Sequence, residues 1–305
     1  MRQEKTISGE APQWRSKRSR PCASSHQPQV PSWRLGSEPG RFAVDFVLEN
    51  PLDGKLWESE ALQSLTGPFT KRVNTSYCHY GTPYRKRTTF FTSLTNVSLS
   101  SPCPGNPCKH ATNHEFGVAE CEPAVQNSIP TPIVRTFLDE WMAKDALAMK
   151  ETGREYDHLL LIDVFKGFGS VQKAVGEWND ENEERRILYV GNDIADARVD
   201  DADTLNFDIS KLGQFEMLID WSFLKLRQHL ARLQDALDDD EPPPLDRGRV
   251  RALFWVSTPC DTYGPQGMGY HGRVSGKLSK KAKQHDGMNM LLAKWFQKTA
   301  LTPYP

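Results

Sequence analysis

Four short runs of apolar residues punctuate an otherwise polar chain: 42–48 (FAVDFVL), 158–165 (HLLLIDVF), 186–192 (RILYVGN) and 252–257 (ALFWVS). Each is nearly continuous in apolar residues, many of them β-branched or aromatic, and each ends in a turn signal. Runs of that kind suit strands of a parallel sheet covered on both faces. Two longer stretches, 171–178 and 215–237, read as helices between them. Strand, turn, helix and strand in repetition predict a doubly wound, Rossmann-like α/β fold. No apolar run approaches the ~18 residues that a membrane-spanning helix needs, so no membrane association is expected.

The flanking pattern differs. Residues 1–40 are rich in Ser, Pro, Arg and Gln and carry no apolar period, which predicts a disordered basic arm. The first turns of the chain hold no apolar signal-peptide core. Residues 238–248 form an acidic, Pro-rich loop. Net charge is -1 over 305 residues, a balance that by itself argues against a strongly basic nucleic-acid binder. The distribution alters that picture. Residues 1–41 carry +5, 42–130 carry -1, 131–250 carry -11 and 251–305 carry +6. Six cysteines in a chain of this length are too sparse for a disulfide scaffold, so an intracellular setting is expected, nuclear if the source is a eukaryote.

Candidate chemistry sits at the ends of the apolar runs. Asp163-Val164-Phe165-Lys166-Gly167-Phe168-Gly169-Ser170 follows one strand and opens a helix, and Asp193 ends the next strand. Glycines there let a ligand approach a helix N-terminus, and a following carboxylate can hold a ribose. The alternative is an ordinary tight turn. Thr258-Pro259-Cys260 ends the last strand, where α/β folds place chemistry; the alternative is a buried structural cysteine. Glu49-Asn50-Pro51 ends the first strand, and taken alone reads as a strand-terminating turn.

Together these blocks resemble the cytosine-C5 DNA methyltransferases. Phe165-Lys166-Gly167-Phe168-Gly169-Ser170, Pro259-Cys260 with Thr262-Tyr263-Gly264 and Gly267 after it, and Glu49-Asn50-Pro51 are similar to that family's signature blocks. Asn127-Ser128, followed by Pro130 and Pro132, resembles its closing block, and residues 77–88 (YCHYGTPYRKRT) resemble a segment of its phage and algal branch. The resemblance implies a Rossmann-like methyltransferase fold that binds S-adenosylmethionine and methylates cytosine C5 in DNA. By the same resemblance, Cys260 is the nucleophile and Glu49 holds the base. Arg85 and Arg87 contact base or phosphate. Phe165, Gly167, Gly169, Asp193, Asp208, Pro259, Asn127 and Ser128 line the cofactor pocket.

The order is unusual. In the family the Gly-rich block comes first, then Pro-Cys, then Glu-Asn-Pro and the closing block. Here Glu-Asn-Pro and the closing block come before the Gly-rich block, and Pro-Cys comes last. A circular permutation of one domain fits this order, and so does a tandem array cut out of register. On the first reading residues 41–130 are the C-terminal-type half and include a small target-recognition region. Residues 131–305 are then the cofactor and cysteine half of a single globular domain. Lys166 and Ser170 stand where the family has smaller residues, which leaves room for a degenerate relative that binds nucleic acid without turnover. A dehydrogenase would leave Pro-Cys and Glu-Asn-Pro unexplained.

Cys103, Cys108, His110 and His114 crowd a loop rich in Pro, Gly and Asn. Such donors can build a tetrahedral structural zinc site, although their spacing fits no standard finger; incidental residues in a variable loop are the alternative. The basic arm and Lys277, Lys280, Lys281 and Lys283 suit DNA phosphates or plain solvated surface. A monomer with DNA as partner is the expectation.

Overall fold

The computed structural model describes residues 42–105, 108, 114, 121–122, 128–153, 156–193, 204–235, 245–258 and 275–300. The basic arm, most of the acidic loop, and Asn127, Pro259, Cys260 and His110 lie outside the described residues. Residues 40–305 belong to one structural unit.

Seven strands form one sheet. In chain order they are β1 (Ala43–Pro51), β2 (Lys71–Ser76), β3 (Arg87–Thr92), β4 (His158–Asp163), β5 (Ile187–Asn192), β6 (Thr204–Leu205) and β7 (Val250–Ser257). Across the sheet the order is β2-β3-β1-β7-β4-β5-β6. The run from β1 through β7, β4 and β5 to β6 is parallel. Only β3 opposes its neighbours, pairing antiparallel with both β1 and β2. Counted from β4, the parallel part reads third, second, first, fourth, fifth, which is the common doubly wound order. The strand in fifth place is β1, the first in the chain.

Alternation along the strands explains the layers. Phe46, Leu48, Leu160, Ile162, Phe254 and Val256 face one side, where they join Phe215, Ile219, Leu292 and Phe296. Those partners lie on two helices, α4 (Leu212–Asp235) and α5 (Lys280–Thr299). Val47, Leu159, Leu161, Leu253 and Trp255 face the other side, with Phe137, Trp141, Val171 and Trp178. These partners lie on α2 (Thr131–Thr152) and α3 (Ser170–Glu181). Successive strand residues point to opposite faces, so near-continuous apolar runs feed two cores at once. The short helix α1 (Glu60–Gln63) packs beside α5.

The four expected strands are present with shifted ends. β1 continues through Glu49 and Asn50 to Pro51 because β3 pairs along that stretch, from Val47↔Thr92 to Pro51↔Thr88. The two expected helices are longer than the periodicity suggested, at Ser170–Glu181 and Leu212–Asp235. β2, β3, β6, α2 and α5 were not anticipated. β2 and β3 are too polar to stand out, with Lys71, Arg72, Asn74, Thr88 and Thr89 among their residues, yet they complete the main sheet.

At the amino ends of β1 and β7 lies a buried ion cluster. Arg251 donates to Asp45 Oδ2 at 2.8 Å, and its second terminal nitrogen lies 3.2 Å from Asp145 Oδ1. Lys144 pairs with Asp45 from the rim, and Arg185 pairs with Asp145. Burial pushes the Asp45 carboxyl up, but Arg251 and Lys144 outweigh it and hold it below its ordinary range. The first and last described ends also meet: the Phe42 ring lies 6.4 Å from the Trp295 ring on α5.

Candidate active site

A cleft of about 730 Å³ opens at the carboxyl ends of the parallel strands. It sits where the strand order reverses between β4 and β7, the position at which open α/β sheets bind ligands. Glu49 from β1, Asp163 and the loop after β4, Asn192 and Asp193 after β5, Asp208 to Ser210, and Ser257 and Thr258 after β7 all line it. Ile129, Lys86, and Lys280, Lys281, Gln284 and His285 of α5 close its remaining sides.

Pairing between strands brings Glu49 beside the end of the strand that precedes Cys260 in sequence. Glu49 is the register partner of Ser257, and Asn50 Nδ2 donates to Thr258 Oγ1 at 2.7 Å. The Glu-Asn-Pro block is thus bonded to the residue two places before Cys260, across more than two hundred positions of chain. Thr258 is the last described residue of that strand, so Cys260 itself is not placed.

Glu49 is buried and engaged from one side. Tyr77 donates its hydroxyl to Glu49 Oε1 at 3.3 Å, and Lys86 Nζ lies 3.7 Å from the same oxygen. Burial first, then the Glu49 charge, pushes the Tyr77 hydroxyl well above its ordinary range, so it remains a neutral donor. Lys86 also lies over the Tyr77 ring at 5.0 Å. Lys86, rather than its flanking arginines, forms this wall. Arg85 is exposed, and Arg87, also exposed, reaches Asp53 at 3.4 Å. Of these three residues, Lys86 is the one that lines the cleft.

The Gly-rich loop has the backbone its sequence requires. Gly167 and Gly169 have φ of +54° and +75°, a region that side chains with a Cβ rarely adopt. The Gly167 N–H donates to Asp193 Oδ2 at 3.0 Å, tying loop to acid. Lys166 crosses to Thr204 Oγ1 at 2.6 Å. The closing block meets the same loop: the Ile129 N–H donates to Ser170 Oγ at 3.1 Å, next to Ser128. Asp208 accepts from the Ser210 hydroxyl at 2.6 Å, and that bond, with help from Lys211, holds its carboxyl below its ordinary range despite partial burial.

Asp163 opens the Gly-rich block in the sequence but is given no role there, because it reads as the end of an apolar strand. It is buried, lines the cleft, and accepts from Tyr189 at 3.0 Å on one oxygen, while Oδ1 has no hydrogen-bond partner among the described residues. Burial outweighs the Tyr189 bond and pushes the Asp163 carboxyl up to about 7. Phe168, exposed at the cleft's edge, is a further lining residue not foreseen.

A second cluster lies in the 77–121 region. Cys78, Cys103, Cys108 and His114 place one donor atom each within 4.8 Å of all the others. Cys103 Sγ is 3.6 Å from both Cys108 Sγ and His114 Nε2. Ligands ~2.3 Å from a tetrahedral zinc sit about 3.8 Å apart, so the donors are spaced for an ion of that size. Three of the expected ligands are here. The fourth is Cys78, from the turn after β2, while the expected His110 lies outside the described residues. Cys78 escaped notice because it precedes the loop by 25 positions, and only the pairing of β2 with β3 returns it there.

Among the described residues no helix is long and apolar enough to cross a membrane. No protein-family model, curated protein or solved structure matches the chain.

Proposed function

We propose that the protein is a cytosine-C5 DNA methyltransferase that uses S-adenosylmethionine and is built from a circularly permuted domain. The observation that carries this reading is convergence. Glu49, the approach to Cys260, the Gly-rich loop, Asp193, Asp208 and the closing block come from six separate segments and line one cleft. Chance likenesses scattered along a chain have no reason to meet.

S-adenosylmethionine supplies a methyl group carried on a positively charged sulfonium. Phe165, Gly167, Asp193, Asp208 and Ile129 would hold it. The buried Asp163 carboxyl, open on one oxygen, suits a cofactor with positive charge. On the other side of the cleft, a Cys260 thiolate adds to C6 of an extruded cytosine. Glu49, steadied by Tyr77, bonds the N3 and amino edge of the ring and stabilises the activated base. C5 then takes the methyl group, its proton leaves to a base, and the thiolate departs from C6. Lys280 and Lys281 on the cleft wall supply positive charge for DNA phosphates.

The Cys78, Cys103, Cys108 and His114 cluster is read as a closed structural zinc site. All four positions are filled by protein donors, which is the pattern of structural rather than catalytic zinc.

Transfer of labelled methyl from S-adenosylmethionine to DNA tests the reading. The expected product is 5-methylcytosine, and Cys260→Ser abolishes its formation. DNA binding with no transfer under any condition would instead favour a degenerate nucleic-acid-binding relative.

A further inference from the structure

One dipeptide belongs to both features. Tyr77 bonds Glu49 of the cleft wall, and Cys78, its neighbour, is a candidate metal-cluster donor. We propose that the metal positions the Glu49 wall of the cleft: an ion at Cys78 locks the Tyr77–Tyr80 turn and through it sets the geometry of Glu49 and Lys86. This rests on the zinc reading above.

The connections are direct. The turn follows β2 without a gap. The Tyr77 hydroxyl donates to Glu49, and the Tyr77 N–H donates to the Lys86 carbonyl at 3.0 Å. The Tyr77 ring underlies the Lys86 ammonium, which faces the same Glu49 oxygen. On the metal side, the Cys103 N–H donates to Ser76 Oγ at 3.0 Å, one residue before Tyr77. Cys103, Cys108 and His114 all lie outside helices and strands. Three donors on such a loop and a fourth beside the sheet make a cross-link between them. A charged side chain aimed at a base must be held to within about half an ångström to act on it, and a metal at Cys78 adds a fixed point to the turn that carries Tyr77.

The test is amide hydrogen exchange on the full chain, as purified, after chelation, and after zinc is returned. On chelation, exchange at residues 49–50 and 77–87 rises by about tenfold or more, and zinc reverses it. Amides of β4 and β5 keep their rates. Tyr77→Phe retains its metal yet lowers kcat for methyl transfer by roughly tenfold, with KM for S-adenosylmethionine unchanged. Loss of metal with no change at 49–50 and 77–87 overturns the coupling and leaves the zinc reading standing. Loosening of β4 and β5 as well overturns it in favour of a general stabilising role. Unchanged kcat in Tyr77→Phe overturns it too. A chain that neither carries nor takes up zinc sinks the zinc reading itself.

Discussion

Glu49 shows how much of the site rests on single side chains. It is buried in a cleft wall with Lys86 and Tyr77 as its described polar neighbours. If Lys86 supports the carboxylate and the bound base, Lys86→Ala lowers methyl transfer by roughly a hundredfold. Arg87→Ala, whose partner is the exposed Asp53, changes it by about twofold or less. Single-turnover transfer assays on both variants decide between lysine and arginine. The sequence pointed at the tripeptide, and Lys86, its middle residue, is the one that lines the cleft; which of three consecutive residues faces a site depends on tertiary geometry that local pattern does not contain. Asp163 adds a pH signature. Its folded carboxyl titrates near 7, above the ~3.9 of an unfolded chain. The folded state therefore holds a proton that the unfolded state has lost, and stability falls as pH rises between those values, by roughly 4 kcal/mol in all. Asp163→Asn removes that slope. Urea unfolding at pH 5.5 and pH 8 checks it: the wild type loses roughly 2 kcal/mol relative to the variant between those two pH values.

Among elements, the pairing of β1 with β7 does most to assemble the site. Its carboxyl end brings Glu49 to Ser257 and Asn50 to Thr258, while its amino end is fastened by Arg251 between Asp45 and Asp145. Breaking a buried pair leaves charge without compensation, so Arg251→Ala costs about 3–5 kcal/mol in denaturant unfolding. The depressed Asp45 carboxyl works the other way from Asp163: its contribution is complete at neutral pH and is lost as acid protonates it below about pH 4. The parallel strands were legible because burial on both faces makes them continuously apolar. β2 and β3 were not, since threonines and charges interrupt them. α5 was hidden by its lysines, although Ala282, Met288, Leu292 and Phe296 supply a buried stripe.

For the whole molecule, strand order and chain order disagree in one consistent way. β1 comes first in the chain and takes fifth place in a doubly wound sheet counted from β4. Phe42, just before it, packs against Trp295 on α5, so the first and last described segments lie together. If this is a permuted domain, joining residue 305 to residue 42 and opening the chain between α2 and β4 yields a protein that folds with the same circular dichroism and methyl-transfer rate. A rearranged chain that fails to fold would mean that the present connection is required. Kept as the linker in such a joining, residues 1–41, at +5, would adjoin residues 251–305, at +6. That distribution was visible in the sequence. What was not visible is that the segments between them converge on a single cleft.

If Cys260 attacks a cytosine held by Glu49, the adduct can be trapped covalently. On DNA carrying 5-fluorocytosine the last step stalls, because fluorine cannot leave C5 as the proton does. With S-adenosylmethionine present, the expected result is a stable protein–DNA adduct that peptide mass spectrometry places on Cys260. The adduct is lost in Cys260→Ser and strongly reduced in Glu49→Gln. An adduct that survives Cys260→Ser, or methyl transfer that proceeds without Cys260, would contradict attack by Cys260.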